Sequence, residues 1–329
     1  MGKLPYEEIK RKVITKRRDK TSKEYGCFPD QRPIPELIKY GIININKPDG
    51  PSSHQVSSYV QRILNINTSG HSGTLDPRVT GVLPVALSKA TRIVQALLKL
   101  GKEYVAIMHL HKEIPQSEIY KVMKEFTGKI EQLPPIRSAI KRQLRTREIY
   151  YIEIIEIKGK DVLFRVGCEA GTYIRKICHD IGQRLGIGAH MAELVRTKVG
   201  PFNDNNWNTL QDLKDAFEFY NEGNENELRR IIMPVEFSIP HLSKIWVLDT
   251  TVDALCHGAD LYSNGISKLD DNIEKDSQVA ILTLKDELIC LGNALTDFNG
   301  MMKENNRVVK TTKVFMETNI YPKFKSKKS

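Results

Sequence analysis

The sequence predicts an α+β protein with a large domain around a mixed sheet and a smaller, mostly β domain at the C-terminus. Strand and helix patterns interleave over the first part of the chain without a strict strand-helix-strand rhythm. Near residue 242 the pattern changes to short apolar runs separated by polar turns, with Gly258, Gly265 and Gly292 as breakers. A chain of 329 residues is long enough for both units.

Each element follows from a local pattern. Apolar runs between turn residues predict strands, and apolar residues every three to four positions predict helices. Ser52 and Gln55 form a capping box, Ser88 is predicted to be a helix N-cap, and Gly101 and Gly186 are predicted helix ends. The predicted elements, in order, are a strand at 40–46, a helix from 52, a strand at 79–87, a helix at 88–98, a hairpin of 150–157 and 162–166, a helix from 171 to 186, and terminal strands at 246–248, 279–284 and 288–294.

The charge distribution favours a polyanionic partner. The formal net charge is +10, with one basic stretch at 10–23 and another at 137–147. Either stretch could be a solvated face, but the cations of the second would repel one another in a loop without phosphates nearby. The stretch 203–228 is acidic, so contact with solvent or protein is expected there. The cations of the second basic stretch are Arg137, Lys141, Arg142, Arg145 and Arg147.

Cysteine and histidine usage favours a cytoplasmic protein without a metal. The five cysteines include no C-x-x-C pair, and the sequence has no secretion signal or long apolar run. We therefore expect reduced thiols and no contact with a membrane. His109 and His111 share one strand face, but no third ligand of suitable spacing accompanies them, so both are interpreted as structural histidines.

The stretch GHSGTLDPRVTGVLP, residues 70–84, places Asp76 on a loop between rigid elements. Pro77 disfavours helical backbone at Asp76, and the nearby glycines leave the backbone accessible to a large ligand. An isolated Asp-Pro pair is usually a solvated turn. Here the following residues are apolar, as in a buried strand, so the aspartate is a candidate for chemistry.

This stretch, continued to Arg92, resembles the catalytic motif of the TruB family of pseudouridine synthases. The resemblance is stronger to the archaeal relatives of dyskerin, the catalytic subunit of H/ACA guide-RNA particles. It implies the pseudouridine synthase fold and a C-terminal PUA domain, an RNA-binding module. Further motifs in family order are GIININKPDGPSSHQV (41–56), GKEYVAIMHLH (101–111), PPIRSAIKRQLRTR (134–147), VGCEAGTYIRKICHDIG (166–182), GAHMAELVRT (188–197) and HGADLYSNGISKL (257–269).

Pseudouridine formation breaks the C–N glycosidic bond of uridine and joins C5 of uracil to the same sugar carbon, so no cofactor or metal is required. The reaction needs a carboxylate that attacks carbon or stabilises a cationic sugar, and a base that removes the C5 proton. Asp76 fits the first role if a cation keeps it ionised in a dry pocket. By resemblance, Arg175 is that cation and Tyr104 stacks on the base and acts in deprotonation. The resemblance also assigns His71 to the vacated base stack, and Lys47, Tyr173 and Leu194 to the pocket or its support.

The resemblance implies two further RNA contacts and a domain division. The basic loop is expected to be a mobile thumb that closes on RNA through Arg137, Lys141, Arg142 and Arg145. The PUA motif is expected to hold the ACA box of a guide RNA through His257, Gly258, Ala259, Gly265 and Lys268. The expected division is an N-terminal extension at 1–40 packed against the PUA domain, a catalytic domain at 41–241, the PUA domain at 242–322 and a basic tail at 323–329.

Three hypotheses about function remain open from the sequence. The first is a guide-dependent pseudouridine synthase acting on ribosomal RNA, with transfer RNA as a second candidate substrate, and the N-terminal extension favours it. The second is a stand-alone enzyme that modifies the TΨC loop of transfer RNA, and the third is a non-catalytic RNA-binding scaffold. For the first, the resemblance implies as partners an H/ACA guide RNA, a small nucleolar-type brace protein, a Gar-type protein and a kink-turn-binding ribosomal-type protein.

Overall fold

The computed structural model describes residues 2–133 and 143–323. The α-helices are α1 (Ile34–Tyr40), α2 (Ser53–Leu64), α3 (Val94–Leu98), α4 (Gln116–Glu125), α5 (Ile174–Arg184), α6 (Leu210–Asn221), α7 (Asn226–Ile231), α8 (Asp249–Cys256) and α9 (Phe298–Met302). The strands are β1 (Val13–Thr15), β2 (Gly41–Lys47), β3 (Ser69–His71), β4 (Thr80–Leu87), β5 (Lys102–Leu110), β6 (Gly128–Gln132), β7 (Arg145–Lys158), β8 (Asp161–Cys168), β9 (Ala189–Val199), β10 (Phe202–Asn203), β11 (Ile232–Pro234), β12 (Ser243–Val247), β13 (Leu261–Tyr262), β14 (Ile266–Asp270), β15 (Gln278–Leu282), β16 (Leu288–Ala294) and β17 (Arg307–Val314).

The larger sheet is mixed. Its strand order is β11-β2-β4-β9-β5-β8-β7-β6, with β3 added to β4 and β10 to β9. The central strands β4 and β9 run parallel, and Gly81 pairs with Arg196 there. Gly81 has a φ of +106°, and a Cβ at this position would lie 2.2 Å from the Arg196 carbonyl oxygen. Glycine is therefore required for the two strands to meet.

The smaller sheet is formed by β1-β14-β12-β15-β16-β17-β13. Apart from the parallel pair β12 and β15, its neighbours are antiparallel. With its short helices this unit is mostly β, so the predicted combination of an α+β domain and a small β domain is confirmed.

One apolar cluster joins the two sheets. Ile42 and Val82 from the larger sheet pack in the same cluster as Trp246 and Leu282 from the smaller sheet and Phe315 beside it. All five side chains are buried. Because burial of apolar surface is the main favourable term in folding, this shared core holds the two sheets against each other.

The N-terminal residues contact both sheets. Leu4 is fully buried. Glu7 forms an ion pair with Lys198 of β9, with 3.2 Å between Glu7 Oε1 and Lys198 Nζ. Strand β1 pairs with β14 of the smaller sheet, and the Arg11 guanidinium donates to the backbone carbonyls of Pro240 and Leu242 between the sheets. This segment therefore links the two units by backbone pairing and by charge-assisted hydrogen bonds.

Most predicted elements are present, and one predicted cap is wrong. The Ser52 and Gln55 capping box is confirmed, with reciprocal hydrogen bonds of 2.8 and 3.2 Å. Ser88 is not an N-cap, because its backbone is left-handed with a φ of +42° and it opens a 3-10 turn that precedes α3. No helix in the two described ranges is long and apolar enough to cross a membrane.

Candidate active site

The loop between β3 and β4 presents Asp76. The Asp76 carbonyl accepts from the Val79 amide at 3.0 Å, which forms the turn that Pro77 introduces. Two groups outside the loop hold its backbone. The Ser53 hydroxyl accepts from the Leu75 amide at 2.8 Å, so the start of α2 is tied to the residue before the aspartate.

Lys47 is the second group that holds the backbone of this loop. Its side chain is fully buried at the end of β2, and its ammonium donates to the carbonyls of Pro48, Pro77 and Val79 at 2.8, 2.7 and 2.9 Å. Burial lowers the Lys47 pKa, and Asp49 opposes that shift. The three donors of the ammonium group are thereby used to fix the backbone around Asp76.

Asp76 and Arg175 form an ion pair. Arg175 lies in the first turn of α5, and its Nη2 is 2.6 Å from Asp76 Oδ2. Both side chains are 59% exposed, whereas the sequence analysis expected a dry pocket around Asp76. The pair therefore lies at the mouth of the site, where a bound ligand would exclude the water.

A cleft of about 700 Å³ lies beneath this pair. Tyr104 of β5 and Leu194 of β9 line it, and the loop of Asp76 and the start of α5 form its rim. Tyr104 is buried, and burial raises its pKa while Arg196 opposes the shift. The cleft thus combines a carboxylate at the mouth with an aromatic and an aliphatic side chain inside, which suits a planar apolar-faced group.

Two of the predicted pocket residues play different parts in this geometry. Tyr173 precedes α5 and lines the cleft, and its backbone is clamped by the Gln132 side chain, which accepts from its amide at 3.0 Å and donates to its carbonyl at 3.2 Å. His71 is half-buried in β3 and is not among the residues that line the cleft. Burial lowers its pKa, and the charges of Arg196 and His54 add to that effect.

Sequence reasoning missed two cations of the cleft, Lys102 and Arg196. Lys102 lies two residues before Tyr104 on β5, and Arg196 lies two residues after Leu194 on β9. Both line the cleft. Because alternate residues of a strand share a face, the period of two from Tyr104 and Leu194 was the signal that could have identified them.

Comparisons with known proteins decide the family. The model of the TruB family pseudouridylate synthase N-terminal domain matches residues 61–174, and that of the tRNA pseudouridylate synthase B C-terminal domain matches residues 175–239. A probable tRNA pseudouridine synthase B of Pyrococcus abyssi is 55% identical over 320 residues, covering 96% of each chain. A second, of Methanopyrus kandleri, is 52% identical over 98% of this chain and 95% of its own.

The chain belongs to the TruB family of pseudouridine synthases. It is therefore an enzyme that converts uridine to pseudouridine, as its motifs predicted. The DKCLD domain model also matches residues 3–57, and the PUA domain model matches residues 243–315. The predicted C-terminal PUA domain is thus confirmed.

Two solved structures match the whole fold. A chain of a Cbf5-Nop10-Gar1 complex has a TM-score of 0.93 and 53% identity, covering 98% of both chains. A chain of an H/ACA RNP bound to a substrate RNA containing 2'-deoxyuridine has a TM-score of 0.92 and 50% identity, covering 98% of this chain and 99% of its own.

The predicted PUA residues lie between the end of α8 and β14. His257 follows α8, and its Nδ1 is 2.8 Å from the Asp253 carbonyl. Gly258 has a φ of +86°, and a Cβ there would meet nothing within 4 Å, so its backbone is open to a ligand. The Ala259 carbonyl accepts from the Thr311 hydroxyl at 2.7 Å.

Gly265 packs against Thr251, and the Lys268 ammonium lies 4.5 Å from the Trp246 ring centre.

The predicted thumb is described only at its margins. Arg137, Lys141 and Arg142 lie outside the described residues. Arg145 begins β7, directly opposite Gln132 at the end of β6. Arg147 is paired with Glu169 at 3.2 Å, and its guanidinium lies beside Gly171 at the rim of the cleft.

His109 lies in β5, whereas His111 follows the last residue of that strand, so the two do not share one strand face as expected; both have partners. His109 Nδ1 is 2.7 Å from Asp161 Oδ1, and His111 Nε2 is 3.1 Å from His190 Nδ1. Within residues 2–133 and 143–323, no three His, Cys, Asp or Glu side chains are placed to hold a metal ion.

Proposed function

We propose that Asp76 is the nucleophilic carboxylate of this pseudouridine synthase, that Arg175 keeps it ionised, and that Tyr104 contacts the uracil and acts in its deprotonation. One observation carries the proposal: Asp76 Oδ2 is 2.6 Å from Arg175 Nη2 at the mouth of the cleft that contains Tyr104. A uridine stacked in an RNA helix cannot reach this carboxylate, so the nucleotide must be flipped into the cleft. The order of attack on sugar or base is not part of the proposal.

Because its loop is held in place, the Asp76 carboxylate is positioned before the substrate arrives. Lys47 and Ser53 hold the backbone on both sides of Asp76 before RNA binds. Binding then does not have to order the nucleophile, which preserves binding energy for the transition state. His71, Tyr173 and Leu194 keep their proposed roles in receiving the flipped nucleotide, with Tyr173 and Leu194 on the cleft itself.

We further propose that the enzyme works as the catalytic subunit of an archaeal H/ACA guide particle on ribosomal RNA, with transfer RNA as a second candidate substrate. The similar solved chains come from a Cbf5-Nop10-Gar1 complex and from an H/ACA RNP with substrate RNA. The match of residues 3–57 to the DKCLD domain also supports this hypothesis over a stand-alone enzyme. The corresponding partners are a guide RNA, a Nop10-type brace protein, a Gar1-type protein and, by family resemblance, a kink-turn-binding protein.

RNA contacts are proposed at two surfaces. Arg137, Lys141, Arg142 and Arg145 would contact phosphates beside the cleft, and the PUA motif from His257 to Lys268 would hold the guide's 3′ end. The corresponding units are residues 41–241 for catalysis and 242–322 for guide binding. The five cysteines are unpaired thiols, which supports a reducing, cytoplasmic compartment.

The test is pseudouridine formation by wild-type and Asp76→Asn enzyme, assembled with and without guide RNA and the partner proteins. We expect rapid modification of the guide-paired uridine by the wild type and none by the variant, with RNA affinity unchanged within about threefold because Asn is isosteric with Asp. An active Asp76→Asn enzyme would refute the catalytic role. Wild-type activity on transfer RNA that never responds to guide RNA would favour the stand-alone hypothesis, and an inactive wild type that still binds RNA would favour the scaffold.

A further inference from the structure

The floor of the cleft contains two buried cations without an acid. Lys102 is 6% exposed and Arg196 is 1% exposed. Neither forms an ion pair with any carboxylate in the described part of the chain. Removing an unpaired charge from water costs free energy, and buried cations in proteins are ordinarily paired. Two such groups side by side therefore need an explanation beyond folding.

Both cations face the space that the proposed substrate would enter. Arg196 is the cross-strand partner of Tyr104, and Lys102 shares the Tyr104 face of β5. Gly73 covers them on the side of the catalytic loop. A Cβ at this position would lie 3.7 Å from Lys102 Cε and 3.8 Å from Arg196 Nη1, and the Gly73 φ of +128° excludes other residues.

Backbone carbonyls satisfy only part of their hydrogen-bonding capacity. The Lys102 ammonium donates to Leu98 and Leu100 at 3.1 and 2.7 Å. The Arg196 guanidinium donates to Val82 and Gly73 at 2.7 and 3.2 Å. Lysine has three donors and arginine has five. In contrast with Lys47, whose three donors are all used on carbonyls, Lys102 keeps one donor and Arg196 keeps three that no backbone carbonyl takes. Arg196 also forms a side-chain hydrogen bond with Tyr104, which lines the same cleft.

We propose that Lys102 and Arg196 stabilise the negative charge that uracil carries while it is detached from the sugar. When the C1′–N1 bond breaks, its electron pair leaves with the base and is delocalised over the ring nitrogens and carbonyl oxygens. The same electrons form the C5–C1′ bond after the base rotates, and the C5 proton then leaves while N1 gains a proton. A fixed cationic floor favours the charged base without holding any one orientation of it.

This inference rests on the proposed role of Asp76 and takes the attack to be at the sugar, which places the sugar at the mouth and the base inside. The groups facing Lys102 are Arg196 of β9, Tyr104 of the same strand and Cys168 of β8. Burial, together with the charge of Arg196 and against an opposing effect of Cys168, lowers the Lys102 pKa to about 8. Lys102 is therefore charged below pH about 8 and neutral above it.

The test compares single-turnover rates of wild type, Lys102→Arg and Lys102→Met in the assembled particle from pH 6.5 to 9.5. We expect the wild-type rate to fall as the pH rises through about 8, because the floor loses a charge. Lys102→Arg should keep its rate to higher pH, while alkaline titration of the RNA itself is common to both enzymes. Lys102→Met should be slower at pH 7 by about 10²-fold with RNA affinity unchanged.

A matched control is Lys285→Met in the smaller sheet. Lys285 is also 6% exposed and its ammonium also donates to backbone carbonyls, those of Tyr25 and Gly26. It should not alter the pH profile. If Lys102→Met does not fold, the comparison of wild type with Lys102→Arg decides the matter by itself.

Two outcomes would overturn the inference. A wild-type rate that rises through pH about 8 would make Lys102 a base, and identical profiles for wild type and Lys102→Arg would remove its charge from the reaction. Failure of the underlying proposal is distinguishable, because it requires an active Asp76→Asn enzyme, whereas failure of this inference leaves Asp76→Asn inactive.

Discussion

The mouth and the floor of the cleft arrange their charges in opposite ways. At the mouth, Asp76 and Arg175 carry opposite charges, lie 2.6 Å apart and are both 59% exposed. At the floor, Lys102 and Arg196 carry like charges and are almost fully buried. Proteins ordinarily pair the charges that they bury and gain little from the pairs that they expose.

This difference indicates that neither pair is there for stability. An exposed ion pair contributes about 0–1 kcal/mol, and an unpaired buried cation costs free energy. Under the two proposals, both arrangements follow from the reaction. The sugar develops positive charge and meets Asp76, whereas the departing base carries negative charge and meets the cationic floor.

The largest effect is expected from Arg175→Ala. Loss of the guanidinium should lower the single-turnover rate by about 10²–10³-fold, because one charge-assisted contact to the reacting carboxylate is removed. The free energy of unfolding should change by less than about 1 kcal/mol, because the pair is exposed. Rates and denaturant unfolding of the same preparation measure both quantities.

Arg184→Ala is the control for this prediction. Arg184 lies on the same helix and pairs with Glu125 at 2.9 Å, with side-chain exposures of 60% and 38%. It should leave the rate unchanged. A comparable rate loss in both variants would mean that α5 is disturbed and that the mouth pair has no special role.

A smaller effect is expected from Lys47→Met, which removes a buried cation whose donors are all used. Three backbone carbonyls would lose their donor, so the free energy of unfolding should fall by about 2–4 kcal/mol. The rate should fall with it, because the loop of Asp76 loses its support. Ser53→Ala, which removes the other group that holds this loop, should reproduce the same pattern at smaller magnitude; full activity in a destabilised Lys47→Met enzyme would contradict the positioning role.

The smallest effect on the reaction rate is expected at His241, a half-buried titratable group away from the cleft. Both its ring nitrogens are buried without a hydrogen-bond partner in the described residues, and burial, with a contribution from Arg11, lowers its pKa from 6.5 to about 4. A depressed pKa means that the unfolded chain binds the proton first. Stability should therefore be lost as the pH falls from about 6.5 to about 4, by up to about 3 kcal/mol from this group.

His241→Phe should flatten that part of the stability profile, measured by denaturant unfolding at each pH. The exposed His179, replaced in the same way, serves as the control. Equal slopes in wild type and His241→Phe would show that His241 is already accessible to protons in the folded state. The same argument for Lys102 in the floor would then be weaker, because burial alone would not be enough to shift the pKa of a group in this protein.

The elements that sequence predicted best are those with local causes. The capping box of Ser52 and Gln55 and the hairpin that turns between Lys158 and Asp161 depend on residues a few positions apart. Ser88 was predicted wrongly because serine favours helix starts in general, whereas here β4 runs directly into a left-handed residue. The start of β7 at Arg145 depends on pairing with β6, which no local pattern reports.

The candidate site divides in the same way. Asp76 and its turn were predicted from Pro77 and the flanking glycines, and Arg175 and Tyr104 from family motifs. The partners of Lys47 and the burial of Lys102 and Arg196 were not predicted. These features depend on how β2, β4, β5 and β9 pack together. The four strands are far apart in the sequence, so no local pattern predicts that packing.

The sequence by itself determined the family and the candidates for the reacting groups, because short motifs with special backbone needs, such as Asp-Pro and the nearby glycines, are local properties. Only the tertiary structure decided which charges are exposed and which are buried. Burial depends on strands distant in sequence packing side by side, and it sets the electrostatic environment in which a cation acts. A lysine side chain can therefore be a solvated surface group on one strand and part of the buried cationic floor on another.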